Sequence, residues 1–354
     1  MKIILVGEFS GFFKNLRDGL QELGHDAIIA ASRDGYKKID VDVDLGSDLI
    51  FPFGKLASRV KPLSFLRQMS GYDVVQFVNP YIFGARYSFN NAILRKLCNC
   101  NDKAFLSAAG SDSFFWRVGR QHLKYGPFEE TLKYDYKKKR HFLESDAAYN
   151  WNSELAGMVN GVIPVMHEYA VSYAHVKTVR RAIPLPMNVH KIPFSENAPS
   201  KKLVIFHGLT RYGFKGTRYV EAAFDELRKR YPNDLELIID GRMPLHRYLD
   251  VMARANVVVD QVLSYSCGMN ALYALAMGKV VLGGAEKESL ELFGLSKSPV
   301  INIRPDEKSI IAQVEALLDK RSSIADIGLE SRSFVEAVHG HVGVAQQYID
   351  QWSL

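Results

Sequence analysis

Short apolar runs alternate with longer amphipathic runs along this chain, and the alternation occurs twice. In the first half, strands are predicted at residues 2–6, 26–30, 73–78, 104–108, 147–149 and 162–165. In the second half, strands are predicted at 203–207, 235–240, 256–259, 279–282 and 300–303, with helices at 217–230, 245–254, 268–277 and 287–293. Strands that alternate with helices of this length form parallel, doubly wound sheets. The pattern therefore predicts an α/β protein.

Length and a proline-bearing segment indicate two such sheets. A chain of 354 residues exceeds one compact core and suits two domains. Three prolines, Pro184, Pro186 and Pro193, mark a linker between the two series of strands. We expect two Rossmann-like domains facing across a cleft, where ligand sites are common.

Composition is that of a soluble globular protein, with 47% hydrophobic and 24% charged residues. No apolar run approaches the roughly 18 residues that span a bilayer. The start of the chain, MKIILVGEF, has the pattern of a first strand and not of a signal peptide. Three cysteines, Cys98, Cys100 and Cys267, are too few for a disulfide framework or a metal cluster. A cytoplasmic location is the expectation.

The net charge of +6 is concentrated in the first half. Up to residue 196 there are 26 Lys and Arg against 20 Asp and Glu, and beyond it 19 against 19. One basic stretch carries Lys55, Arg59, Lys61 and Arg67, and a second is KYDYKKKRHF at residues 133–142. Such stretches attract an anionic acceptor or the inner face of an anionic membrane, or they form a solvated helix face, and both interpretations stay open. The aromatic interleaving of a nucleic-acid groove is lacking, so no nucleic acid is expected.

Two loops of the first half are candidate sites. GEFSG at residues 7–11 is not a GxGxxG, and Gly11 permits a close approach of the backbone to a ligand or to the next helix. AAGSD follows the strand at 104–108, and its Asp112 is a candidate catalytic or sugar-binding group at a strand's carboxyl end. The position of Asp112 fits a helix N-cap equally well.

The second half carries two loops suited to phosphate. HGLTRYGFKGT, residues 207–217, places Gly208, Arg211 and Lys215 around a helix start. A guanidinium and an ammonium at such a place suit a diphosphate. Residues 260–284, DQVLSYSCGMNALYALAMGKVVLGG, predict strand, loop and helix, with small residues crowding the helix N-terminus. A helix start at a strand's carboxyl end presents free N–H groups and a positive dipole end to anions.

These segments together resemble retaining glycosyltransferases of the GT-B architecture, of the large family 4 type. GEFSG with ELGHD resembles the family's N-terminal glycine loop, and AAGSD resembles its His-Gly-x-Asp loop. RYGFKG resembles its Arg…Lys-Gly phosphate loop, and ALYALAMGKVVLGG resembles the end of its Glu-x7-Glu motif. The likeness covers most of the chain and is more specific in the second half.

The resemblance implies a glycosyl transfer from a nucleotide-diphosphate sugar, with retention, to a glycan, a lipid-linked acceptor or another cell-surface precursor. It implies an acceptor-binding domain over residues 1–190, a donor-binding domain over 191–338, and a final helix over 339–354 that packs back on the first domain. It also implies no metal or other cofactor, the diphosphate being neutralised by Arg211, Lys215 and helix N–H groups. The remaining donor-binding positions that it implies are Gly11, Gly208, Tyr265, Gly268, Met269, Asn270 and Tyr273.

The motif is degenerate in this chain. Tyr265 and Tyr273 stand at the two glutamate positions, with seven residues between them, and Ala109 stands where the family has a histidine. A phenol makes one hydrogen bond in each direction but cannot offer a carboxylate's two acceptor oxygens. The alternative expectation is therefore a GT-B protein that binds a nucleotide or a glycan without turnover.

Overall fold

The computed structural model describes residues 1–32, 39–46, 60–84, 89–241 and 245–354, and the side chains of 245–249 are not among those described. The chain forms two compact units. The first comprises Met1–His122, Phe142–Asn188 and His341–Leu354, and the second comprises Leu123–His141 and Val189–Gly340. The sequence-based boundaries after residues 190 and 338 each lie two residues away from this division. In addition Leu123–His141, hereafter the arm, belongs to the second unit and not to the first.

The first unit is built on a six-stranded parallel sheet of order β3-β2-β1-β4-β5-β6. Its strands are β1 (Lys2–Val6), β2 (Asp26–Ala31), β3 (Val43–Asp44), β4 (Val74–Phe77), β5 (Lys103–Ala108) and β6 (Gly161–Pro164). Its helices are α1 (Phe12–Glu22), α2 (Asn90–Asn99), α3 (Asp146–Met158), α4 (His167–Tyr173) and α12 (His341–Ser353), with short turns at Phe115–Gly119, Arg120–His122 and Phe142–Glu144. Near-continuous apolar strands such as KIILV are typical of a sheet buried on both faces.

The strand predicted at 147–149 is wrong, because these residues form the first turn of α3. Ser145 is the N-cap, and its hydroxyl accepts a hydrogen bond from the Ala148 N–H at 3.3 Å. A serine cap followed by Asp146 in the first turn favours a helix, and this local signal overrides the short apolar run.

Helix α12 packs on α1 within the first unit. A Cβ at Gly19 would lie 2.3 Å from the His341 carbonyl oxygen, so glycine permits this close approach. Near the other end of α12, the Trp352 indole donates to Gln76 Oε1 at 2.9 Å, and its carbonyl accepts from Lys103 Nζ at 2.8 Å. These bonds join the last helix to strands β4 and β5.

The second unit is built on a five-stranded parallel sheet of order β11-β10-β9-β7-β8. Its strands are β7 (Leu203–Gly208), β8 (Leu235–Asp240), β9 (Val257–Val259), β10 (Val280–Gly283) and β11 (Ile301–Asn302). Its helices are α5 (Tyr212–Lys215), α6 (Thr217–Arg230), α7 (Leu245–Arg254), α8 (Met269–Ala276), α9 (Lys287–Leu292), α10 (Glu307–Asp319) and α11 (Ile324–His339), with short turns at Phe128–Glu130, Thr131–Tyr136, Val189–Lys191 and Arg321–Ser323. The predicted pair of doubly wound parallel sheets is confirmed.

Within the described ranges, no helix combines the length and the apolar character needed to cross a bilayer. Cys98, Cys100 and Cys267 form no disulfide with any described residue.

Candidate functional site

The carboxyl ends of β7, β9 and β10 lie side by side in the second sheet. His207 pairs with Val259 in register, and Leu282 pairs with Val259 on the other side. Gly208 ends β7 and Asp260 directly follows β9. In an open parallel sheet the loops at this edge form the usual ligand site. The two predicted phosphate loops therefore start from neighbouring strands.

A buried ion pair joins these two loops. Lys215 Nζ lies 3.1 Å from Asp260 Oδ1, and the two side chains are 9% and 2% exposed. The same Asp260 oxygen accepts from Asn270 Nδ2 at 3.1 Å. Asp260 Oδ2 is buried and has no hydrogen-bond partner among the described residues. A buried carboxylate oxygen without a donor is costly, and such an oxygen can accept a hydrogen bond from a ligand.

Helix α8 begins beside this pair. Gly268 is its N-cap in an extended conformation, and no side-chain cap is bonded there. Its first intrahelical bond runs from the Leu272 N–H to the Gly268 carbonyl at 3.1 Å. Because Asn270 in the first turn shares an acceptor with Lys215, the ammonium lies next to the positive end of this eight-residue helix. An ammonium and a helix N-terminus at one point suit an anion.

His207 is fully buried and has a structural role. Its Nδ1 donates to the Val259 carbonyl at 2.8 Å, so Nε2 accepts from the Thr217 hydroxyl at 3.0 Å. Burial, together with the charge of Lys215, lowers the pKa of His207 to about 4, and the ring is neutral at pH 7. The hydroxyl of Thr217 thus bonds the imidazole, whereas Gly216 is the N-cap of α6.

Arg211 is exposed and is the N-cap residue of α5. Its guanidinium lies over the Phe214 ring, 3.6 Å from the centroid. A cation over an aromatic ring is held by electrostatic attraction, and its N–H groups can still donate to a ligand.

The first N–H groups of α5 bind a carboxylate from the arm. Gly213 N donates to Asp135 Oδ1 at 3.0 Å, and Phe214 N donates to Asp135 Oδ2 at 2.9 Å. Arg211 supplies no side-chain cap, so Asp135 caps the helix from a distant part of the sequence. These two N–H groups already have an acceptor, and the predicted binding of a diphosphate by this loop stays a prediction.

Tyr265 is also held by the arm. Its hydroxyl accepts from the Lys124 N–H at 2.9 Å, and its ring stacks on Tyr125 with centroids 4.6 Å apart. Tyr273, at the second motif position, lies in the middle of α8 and is half-buried. The sequence did not indicate this contact of the arm, because the paired residues are 141 positions apart.

A further carboxylate, Glu286, lies beside the arm. Arg304 donates to both of its oxygens, at 2.9 and 3.1 Å, and the Tyr125 hydroxyl donates to Oε1 at 3.0 Å. The bonds from Arg304, Asn302 and Tyr125 lower the pKa of Glu286 to about 2. No motif in the sequence pointed to this residue.

Glu286→Gln is expected to lower the unfolding free energy at pH 7 by about 2 kcal/mol, because it removes charge-assisted bonds from a buried carboxylate. The folded-state pKa lies below the ordinary value of 4.5, so this stability is present above pH 4.5 and is lost as pH falls toward 2. Urea unfolding between pH 7 and pH 3.5 should therefore show a steeper loss for the wild type than for the variant. Glu226→Gln, in the exposed Arg230 pair, is the control, and its unfolding free energy should stay close to that of the wild type. Parallel pH profiles for Glu286→Gln and wild type would contradict this prediction.

The first-unit candidates lie in tight local networks. Gly11 has φ 88° and is the N-cap of α1, and its N–H donates to Glu8 Oε1 at 2.8 Å. Asp112 has no exposed surface, and its oxygens accept from the Phe115 N–H at 2.8 Å and from the Tyr173 hydroxyl at 2.6 Å. Burial raises the pKa of Asp112 to about 6. The bond to Phe115 is the capping role that the sequence left open, and the catalytic role of Asp112 stays a prediction.

The basic stretch of the first half is only partly described. Lys55 and Arg59 lie outside the described residues. Lys61 Nζ donates to the Gly46 carbonyl at 2.5 Å, and Arg67 is exposed. Where the structure describes the chain, no group of three or more His, Cys, Asp or Glu side chains could hold a metal ion. A metal-independent donor site stays a prediction.

No protein-family model matches the sequence, and no curated protein matches it. Several solved structures match the chain. Sucrose-phosphate synthase from Thermosynechococcus elongatus matches with a TM-score of 0.66 at 15% identity, covering 100% of this chain and 98% of that one. Anabaena HepE in complex with UDP and glucose matches with a TM-score of 0.62 at 12% identity, covering both chains fully at 100%.

An alpha-glucosyltransferase in complex with UDP and a 13-mer DNA matches with a TM-score of 0.62 at 10% identity, covering 100% of this chain and 99% of that one. At these identities the likeness establishes the fold alone. The chain has the GT-B fold of two Rossmann-like domains, in agreement with the expectation. Membership of family 4 and the Glu-x7-Glu motif stay predictions.

Proposed function

We propose that this protein is a glycosyltransferase that uses a nucleotide-diphosphate sugar and binds the donor at the carboxyl edge of the second sheet. The observation that carries the proposal is the convergence of the buried Lys215 ammonium and the N-terminus of α8 on Asp260. Solved structures of the same fold hold UDP or UDP-glucose, which supports a nucleotide-sugar donor.

Chemically, the arrangement suits departure of a nucleoside diphosphate. The bond between the anomeric carbon and the terminal phosphate oxygen breaks, and negative charge grows on that phosphate. The acceptor hydroxyl oxygen bonds to the anomeric carbon, and its proton passes to the departing diphosphate. An ammonium and helix N–H groups fixed beside the phosphate stabilise this charge without reorganising. Arg211, whose guanidinium lies over the Phe214 ring, supplies a second cation from the same loop. These groups take the place that a divalent cation has in other enzymes, and we propose metal-independent transfer.

The finer points follow the family resemblance. We propose retention at the anomeric carbon, and a glycan or lipid-linked acceptor that is bound by the first unit. Gly11 and Asp112 both lie on loops that follow strands of the first sheet, β1 and β5. Loops at this edge of an open parallel sheet are the usual place for a ligand.

A second candidate function is nucleotide or glycan binding without turnover. It is favoured by the contacts of the arm, since Tyr265 is bonded and stacked by Lys124 and Tyr125 and offers no carboxylate. Phosphate binding at Lys215 would persist in such a protein, whereas a group that assists the sugar's transfer would be missing.

Titration calorimetry and turnover with the purified protein separate the two functions. We expect UDP or another nucleoside diphosphate to bind more tightly than its nucleoside, and one nucleotide sugar of a panel to be hydrolysed or transferred. EDTA should leave both unchanged. Tight binding with neither transfer nor donor hydrolysis would support the binding protein. If every nucleoside, uridine included, binds as tightly as its diphosphate, the predicted phosphate site is wrong. Neither of the two proposed functions would then be supported by it.

A further inference from the structure

Two basic runs of the second unit differ in how their charges are paired. Arg228, Lys229 and Arg230 end helix α6, and each has an acid nearby. Arg228 pairs with Asp225 at 2.9 Å, Lys229 with Glu226 at 3.8 Å, and Arg230 with Glu226 at 2.8 Å and Glu315 at 3.1 Å. This run is a solvated helix face whose charge is neutralised locally.

The second run, Lys137, Lys138, Lys139 and Arg140, lies in the arm and has no such pairing. All four side chains are exposed, and none forms an ion pair with any residue that the structure describes. Lys133, one helical turn earlier, is also exposed, and its ammonium lies over the Tyr134 ring at 4.8 Å. We call Lys133 and residues 136–140 the basic turn.

Two of the arm's three acids, Asp135 and Glu130, are bonded to other parts of the second unit. Asp135 bonds the Gly213 and Phe214 N–H groups. Glu130 accepts from Arg218 at 2.7 Å, so it is paired with a different cation. The basic turn therefore presents five positive charges from eight consecutive positions, 133–140, with the single intervening carboxylate directed into the protein's own backbone.

The basic turn is also preformed. Lys137 has φ 52° and ψ 47°, a left-handed conformation that residues other than glycine rarely adopt. It is held there by the Lys138 N–H, which donates to the Leu132 carbonyl at 3.0 Å, and Leu132 is buried. The Tyr136 ring packs at a tilt of 54° against the buried His141, with centroids 4.6 Å apart, yet 43% of Tyr136 is exposed. Strain of this kind persists where the surroundings fix it, and it is common at functional sites.

We propose that the basic turn is a docking surface for an anionic phospholipid bilayer. An exposed turn with consecutive cations fits a flat surface of many negative headgroups. Each basic residue near such a surface contributes about fivefold in affinity. A half-exposed tyrosine beside the cations matches the preference of aromatic rings for the membrane interface. Binding of this kind needs neither donor nor turnover, so it stands or falls independently of the proposed transfer.

The test is co-sedimentation with sucrose-loaded vesicles of phosphatidylcholine with about 30% phosphatidylserine, and of phosphatidylcholine alone, in about 0.1 M salt. The full-length wild type should bind the anionic vesicles only. K137Q/K138Q/K139Q/R140Q should bind them at least about 100-fold more weakly, from four charges at about fivefold each. R228Q/K229Q/R230Q is the matched control, because it removes three charges from the same unit, and its binding should change by less than about threefold. Raising the salt to about 0.5 M should abolish binding of the wild type.

Circular dichroism melting of each variant shows whether it is folded. Tyr136→Ser provides a second variant that keeps every charge, with an expected loss of a few-fold. If the quadruple variant and its control lose the same amount of vesicle affinity, the binding depends only on net charge, and the proposal is overturned. So would equal binding to neutral vesicles, or no binding of the wild type. Binding to heparin or to duplex DNA with none to anionic vesicles would assign the basic turn to a soluble polyanion instead.

Discussion

Lys215→Met is expected to lower the unfolding free energy by about 3–5 kcal/mol, the usual cost of leaving one member of a buried ion pair without its partner. Asp260 is 1% exposed, and Lys215 is the cation that bonds its Oδ1. Its other oxygen already has no partner among the described residues. The charge cannot be solvated after the substitution. Urea unfolding monitored by circular dichroism measures the loss.

The double variant Lys215→Met with Asp260→Asn should recover stability to within about 1 kcal/mol of the wild type, since replacing both members of a buried pair by neutral groups is often nearly neutral. The carboxamide introduced at position 260 keeps an oxygen for the Asn270 amide, which in the wild type bonds Asp260 Oδ1 at 3.1 Å. If the double variant stays as unstable as the single one, the cost of Lys215→Met is not the unpaired charge.

The same variants test the donor site with folding held constant. The double variant should bind UDP about 10–100-fold more weakly than the wild type, the range for a lost bond to a charged group, and uridine equally well. Asp260→Asn alone keeps the ammonium and should keep the affinity for UDP. Wild-type affinity of the double variant for UDP would show that Lys215 does not face phosphate.

Much of the architecture could be predicted because it depends on local patterns. Buried parallel strands are continuous apolar runs, and amphipathic helices repeat every 3.6 residues, so both are visible in a short window. Helices α6 and α7 and strand β8 begin and end where the sequence predicts. The strand predicted at 147–149 is wrong because it rested on three apolar residues. So short a run gives a weak periodic signal, and the Ser145 helix cap outweighs it.

The candidate site was less accessible from the sequence. Glycines and basic residues at strand ends indicated the loops, but not what their N–H groups and hydroxyls would bond. Asp135 reaches Gly213 across 78 positions, and Lys124 reaches Tyr265 across 141. Such long-range pairs depend on where the arm packs, and no local propensity encodes that. In the sequence, Asp260 is only the residue that follows a strand. Its role became visible in the structure, where Lys215 lies beside it.

Gly213→Ala is expected to lower the unfolding free energy by about 1–3 kcal/mol, because the added methyl group overpacks the contact with the arm. A Cβ at this position would lie 2.2 Å from the Glu130 carbonyl oxygen and 2.8 Å from the Thr131 nitrogen. Both are backbone atoms, so relief requires the arm to move. Gly213 lies in a helix, where alanine would otherwise stabilise by about 0.5–1 kcal/mol.

Gly343→Ala is the matched control, since this glycine also lies in a helix and a Cβ there meets no atom within 4 Å. Gly343→Ala should gain the stability that the higher helix propensity of alanine confers. In Gly213→Ala the clash outweighs this gain. Amide hydrogen exchange should be faster over residues 123–141 in Gly213→Ala and unchanged in the control. If Gly213→Ala has wild-type stability and slow amide exchange in the arm, the arm accommodates the added methyl group and the prediction is wrong.

The two variants also decide what the arm does at the predicted donor site. If the arm positions the loop of Arg211 and Lys215, loosening it by Gly213→Ala should weaken UDP binding without affecting uridine. Asp135→Asn, which keeps the shape of the cap but removes its charge, should then weaken UDP binding as well. If instead the Asp135 carboxylate competes with phosphate for the α5 N–H groups, both substitutions should strengthen it. Because Gly213 is fitted so closely to the arm's backbone, docking of the arm is built into the second unit, and weaker binding is the expected sign.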